Sequence, residues 1–229
     1  MELLWGKRII EAVKQLDDRE NTIVLVRHSE RPSFEGMPVE QWNSVLLTDR
    51  GVDVARQFGR AITTEAAVKS LRVHHWGLKR CAMTADAISE GAVEAGSRVS
   101  GPTAIMFKSP ILVQKEYQNK VSGLPWNSFV KEWLDSEGPH FGMMSSDQYA
   151  REILRSLRNE KLSQRGAATI IATHDLHIIP LVKHVFHVTQ PWIDFLDGIA
   201  LRVNHEEVSV AYAGGIKSLS NESFRTVNE

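Results

Sequence analysis

The stretch TIVLVRHSERP, residues 22–32, decides the reading of this chain: an apolar, β-branched run stops abruptly at Arg27, His28, Ser29, Glu30, Arg31 and Pro32. A short apolar run without alternation reads as a strand buried on both faces, the kind found inside parallel sheets covered by helices. In such sheets ligands bind beyond the carboxyl ends of the strands, so the polar cluster after Val26 stands where a site belongs.

Working outward, LRVHHW (71–76) and ATIIAT (168–173) read as two further core strands, the latter running into Thr173, His174 and Asp175. Thr48 is a helix N-cap for DRGVDVARQFGRAI, whose Val52, Ala55, Phe58 and Ile62 share one face. KRCAMTADAISEGA (79–92) predicts a second helix, and 147–162 a third, with Tyr149, Ile153, Leu154 and Leu157 inward. HIIPLVKHVFHV predicts another, with Pro180 tolerable near its first turn. Residues 96–110 read as a loop leading to a short strand near 111–113. Residues 114–147 read as an irregular, partly helical insertion roofing the site. IALRVNHEEVSVAYAG reads as a terminal hairpin turning near 204–207. The expected fold is α/β: a three-layer α/β/α sandwich with a mostly parallel central sheet and a C-terminal β-hairpin, in one domain over 1–229.

Composition narrows the function classes. With 229 residues and a net charge of -1, the chain has no overall basic field for nucleic acid or an anionic membrane. Positive charge that holds an anion must therefore be local. The single cysteine, Cys81, fits a reducing compartment, and MELLWGKRIIEAVKQL lacks the long apolar core of a secretory signal, so a cytoplasmic location is expected. No apolar run approaches the ~18–20 residues needed to cross a bilayer.

The clusters at the strand ends suit phosphoryl chemistry. Guanidinium forks hold a phosphate dianion by charge-assisted bonds, and Arg27 and Arg31 flank His28. An imidazole among arginines has a lowered pKa, so it is neutral and able to attack phosphorus. Arg80, just past the second strand, is the candidate third arginine. His174 can bond a phosphoryl oxygen, and Asp175 can protonate the departing alkoxide and later activate water. The histidines show neither HExxH nor a Cys/His zinc spacing, so no metal or other cofactor is expected.

Residues 27–32 resemble the RHGxRxP signature of the histidine phosphatase superfamily, in its acid-phosphatase-like branch. Leu47, Thr48 and Gly51, followed by Ala55 and Gly59, look like its LTxxG...A...G stretch. Leu78, Arg80, Cys81, Thr84 and Ala85 are similar to its LxRCxxTA helix, and His174-Asp175 to its late HD motif. The matches keep the family's order over residues 22–182. The resemblance implies a phosphoglycerate mutase-like fold and a phosphomonoesterase with His28 phosphorylated. It implies Arg27, Arg31, Arg80 and His174 as phosphate ligands and Asp175 as proton donor. Ser29 stands for the usual glycine. His75-Trp76-Gly77 stands where the family often has Ser-Ser-Pro, altering one wall. Ser29, His177 and Glu116 are further candidate substrate contacts. The mutase-like branch carries its acid/base glutamate in the insertion, where Glu116 is the convenient match, though Lys115-Glu116-Tyr117 lacks the family's glycine-tryptophan continuation. The alternatives are thus a phosphoglycerate-type mutase using Glu116, or a non-catalytic phospho-ligand or phosphohistidine regulatory protein. The expected partner is a small phosphorylated substrate. Cys81 reads as a small core residue, and His74 and His75, on opposite strand faces, as residues of which at most one reaches the site.

Overall fold

A computed structural model describes residues 4–16, 21–158, 167–188, 192–204 and 207–220. Within them a single seven-stranded sheet runs in the order β3-β2-β4-β1-β5-β6-β7. The strands are β1 (Thr22–Arg27), β2 (Ser70–Trp76), β3 (Arg98–Ile105), β4 (Ala168–Thr173), β5 (Gly198–Val203), β6 (Glu207–Tyr212) and β7 (Gly215–Ser220). The first four are mutually parallel and the last three antiparallel. The helices are α1 (Lys7–Gln15), α2 (Asp49–Thr64), α3 (Lys79–Glu94), α4 (Gln114–Gly123), α5 (Trp126–Asp135), α6 (Ser146–Leu157) and α7 (Asp175–Phe186).

Strand alternation builds two cores. In β1, Ile23 and Leu25 pack with side chains of α5, α6 and α7, whereas Val24 and Val26 pack with those of α1, α2 and α3. Every residue of β1 and β4 is buried, as expected of a sheet covered on both faces. The predicted Thr48 cap is present, its hydroxyl accepting from the Gly51 N–H at 2.9 Å.

The α2–α3 packing depends on glycine. A Cβ on Gly59 would lie 2.1 Å from the Ile88 carbonyl oxygen, and one on Gly91 1.9 Å from that of Arg56. The two helix backbones therefore touch, and a methyl group must push them apart. We expect Gly59→Ala to cost about 2–3 kcal/mol despite the better helix propensity of alanine, read as a lower denaturation midpoint. An unchanged midpoint would contradict this packing.

One sequence expectation is corrected and others are extended. The strand placed near 111–113 is instead β3, and Ile111 makes only an isolated bridge to Met143. β3 is an edge strand, largely exposed, so it lacks an apolar signature, and its open side tolerates Pro102. Residues 114–147 hold two regular ten-residue helices, α4 and α5, whose Phe129, Val130, Trp133 and Leu134 join the core. The terminal hairpin is extended by β7, an exposed edge strand. α6 begins at Ser146 and ends at Leu157, and the end expected near Leu162 lies outside the described residues. Among the described residues, no helix is long and apolar enough to cross a membrane.

Candidate active site

The register of the parallel strands brings the two polar clusters together. Arg27 pairs with Thr173 at the ends of β1 and β4, and the His28 N–H extends the ladder to the Thr173 carbonyl at 2.8 Å. His174 follows on β4 and caps α7, with Asp175 in its first turn. β2 lies on the other side of β4, so the start of α3 delivers Arg80 to the same edge. The rings of His28 and His174 meet edge to face with centroids 5.3 Å apart, and Arg80 Nη2 lies 3.4 Å from His174 Nδ1. Arg27 Nη2 lies 3.4 Å from an Asp175 carboxylate oxygen.

The environment of His28 selects its tautomer. Its Nδ1 is 2.8 Å from the Ser29 carbonyl oxygen, which can only accept, so Nδ1 carries the proton and Nε2 keeps a free lone pair. Burial, then Arg27 and Arg80, hold its pKa well below 6.5, against a smaller opposing effect of the Ser29 carbonyl. Burial first, then His28 and Arg80, do the same for His174. The cations are crowded as well: burial, Arg27 and Arg80 lower Arg31 to about 10. The Nε–H groups of Arg27, Arg31 and Arg80 are buried without a hydrogen-bond partner among the described residues. Three guanidiniums gathered with one carboxylate on the wall of a single cavity form a site complementary to an anion.

Their outer ends are anchored. Arg27 Nη1 donates to the Ile193 carbonyl at 2.6 Å, Arg80 Nη1 to that of Trp42 at 2.9 Å, and Arg31 Nη1 to that of Pro32 at 2.7 Å. The Thr84 hydroxyl accepts from the Ser29 N–H at 3.0 Å and donates to the Arg80 carbonyl at 2.8 Å, tying the segment after β1 to α3.

Arg27, His28, Arg31, Arg80, His174, Asp175 and His177 all line one cavity of about 1300 Å³. Two predicted substrate contacts are elsewhere. Ser29 is fully buried and its hydroxyl donates to the Gly51 carbonyl at 2.6 Å, a structural tie to α2. Glu116 is exposed and does not line the cavity, because Gln114, Tyr117 and Gln118 present the inward side of α4. His74 and His75 do not line it either: their Nδ1 atoms face the Thr103 hydroxyl and the Trp76 carbonyl, while Trp76 itself forms a wall. Cys81 is buried against His174, its thiol pushed up to about 12 by burial. Sequence reading missed Phe34, Trp42 and Trp192, which also line the cavity. Among the described residues, no group of three or more His, Cys, Asp or Glu side chains is placed to hold a metal ion.

His177 stands behind His174, packed against Trp76, Phe107 and Tyr149, with its Nδ1 2.9 Å from the Thr173 hydroxyl. Burial lowers its pKa to about 4. Below the unfolded-state value of about 6.5 the unfolded chain binds a proton that the folded one refuses. Its contribution is therefore whole above pH ~6.5 and is lost as pH falls toward ~4, by on the order of 3 kcal/mol. Denaturant titrations from pH ~7 to ~4.5 should show stability falling with pH, and His177→Phe should reduce that slope by about one proton. An unaltered slope would refute the assignment.

These features define the class of architecture: a phosphoglycerate mutase-like fold. Solved structures that share it include a phosphoglycerate mutase from Bacillus anthracis, at 14% identity and TM-score 0.53, covering 87% of this chain and 91% of that one. A phosphoserine phosphatase from Entamoeba histolytica, solved with 3-phosphoglyceric acid, matches at 13% identity and TM-score 0.53 over 89% and 99% of the two chains. YhfR from Bacillus stearothermophilus matches at 16% identity and TM-score 0.52 over 87% and 96%. No family model matches the sequence, and no curated protein matches it in sequence.

Proposed function

We propose that this chain is a phosphomonoesterase working through a phosphohistidine on His28. The observation that carries this reading is an imidazole with a free Nε2 on the wall of a cavity that Arg27, Arg31, Arg80 and His174 also line. In the first step, His28 Nε2 forms a bond to phosphorus while the ester P–O bond breaks. Arg27, Arg31, Arg80 and His174 hold the phosphoryl oxygens as charge redistributes over them. Asp175, on the cavity wall, passes a proton to the departing alkoxide. In the second step it takes a proton from water, whose oxygen forms a new P–O bond as the P–N bond to His28 breaks and inorganic phosphate leaves. Residues 114–147 act as the roof, with α4 and the start of α5 contributing to the cavity lining. The substrate is a small phosphorylated molecule. A cytoplasmic location is in keeping with a lone, buried free thiol.

The mutase alternative loses support from the exposed position of Glu116. The test is release of inorganic phosphate from an aryl phosphate, run beside isomerisation of 3-phosphoglycerate. Phosphate release without isomerisation is expected. Isomerisation would favour the mutase, and binding without turnover would favour a regulatory phospho-ligand binder.

A further inference from the structure

The cavity is divided by charge. Its three arginines gather at the sheet edge, and among the described residues no lysine lines the remainder. The charged side chains on the outer lining are Glu35 and Glu40, both exposed. A substrate with a second anionic group, such as a carboxylate or another phosphate, would carry it into a region with carboxylates and no cation. The repulsion and lost solvation would count against binding.

What the outer region offers instead is aromatic surface. Phe34, Trp42, Trp76, Tyr117, Trp126 and Trp192 all line the cavity, and Trp192 is 47% exposed. The surface starts at the arginine cage: the guanidiniums of Arg31 and Arg80 lie 3.2 and 5.7 Å from the Phe34 centroid. Phe34 stacks on Trp42 at 4.8 Å and 6°, and Trp42 meets Trp126 edge-on at 6.0 Å. The aromatic lining thus runs from the arginine cage outward within one cavity. Asn43, Gln114 and Gln118 add neutral hydrogen-bonding groups among them. At about 1300 Å³ the space far exceeds a three-carbon leaving group.

Resting on the phosphatase reading above, we infer that the preferred substrate is a monophosphate ester of an uncharged alcohol that bears a flat aromatic group. Stacking of such a group is worth enough to raise kcat/KM by on the order of tenfold or more.

The test compares naphthylmethyl phosphate, adenosine 5′-monophosphate, glycerol 3-phosphate and 3-phosphoglycerate with the wild-type chain. All four are esters of alkyl alcohols, so differences in kcat/KM report the leaving group's fit rather than its acidity. One or both aromatic esters should exceed glycerol 3-phosphate by about tenfold, with 3-phosphoglycerate lowest, and the better of the two distinguishes a simple aromatic alcohol from a nucleoside. Trp126→Leu should bring the ratio of aromatic ester to glycerol 3-phosphate toward one, and Glu40→Lys should raise turnover of 3-phosphoglycerate. Glycerol 3-phosphate or 3-phosphoglycerate turned over as well as the aromatic esters would overturn the substrate class and leave the phosphatase standing. Release of phosphate from none of the four would remove the phosphatase reading and this inference with it.

Discussion

His28→Ala is expected to lower phosphate release by at least about four orders of magnitude while the chain still folds. On the proposed route the loss is large because every other group in the site would act on a phosphoryl group that His28 must first accept. Arginines positioned for transfer have nothing to stabilise when no nucleophile attacks. The fold should persist, since among the described residues the ring hydrogen-bonds to the Ser29 carbonyl alone and the ladder bond to Thr173 comes from the main chain. Circular dichroism and a denaturation midpoint check the fold, and a coupled phosphate assay checks the rate. Activity near that of the wild type would refute the nucleophile. The same residue should set the acid limb of the rate profile. Its pKa lies well below 6.5, so it stays neutral at neutral pH and activity is lost only as pH falls through that lowered value.

Asp175→Asn should separate substrates by leaving group. An alkyl alkoxide needs a proton as it departs, and a nitrophenolate does not. The variant should therefore slow an alkyl ester by about two to four orders of magnitude and an activated aryl ester far less. The substitution also removes the charge facing Arg27 at 3.4 Å, an effect common to both substrates that cancels in their ratio. Equal slowing of the two would mean that another group supplies the proton.

Much of the site was legible because its residues follow apolar strands. Arg27, His28 and His174-Asp175 sit at the ends of β1 and β4, and parallel pairing obliges such ends to meet. Arg80 was legible for the same reason, one residue into the helix after β2. Phe34, Trp42 and Trp192 were not, because Phe34 and Trp192 lie in connecting segments and Trp42 in a short 3-10 helix, Val39–Ser44, too brief for periodicity to say which way a side chain points. Glu116 was misplaced by a similar gap: its neighbours on α4 take the inward side, which composition does not disclose. The edge strands β3 and β7 were missed because exposure removes the apolar pattern that marks a strand. Ser29 shows the limit of motif matching. Its place in the pattern suggested the substrate, yet its hydroxyl is committed to the Gly51 carbonyl.

The most direct measurement is a rapid acid-free quench of the enzyme mixed with a radiolabelled phosphate ester, followed by peptide mapping. One label per chain is expected, stable to base and labile to acid, on the peptide that holds His28 and missing from the His28→Ala chain. Label on any other residue, or full turnover with none trapped on that peptide, would contradict the covalent route.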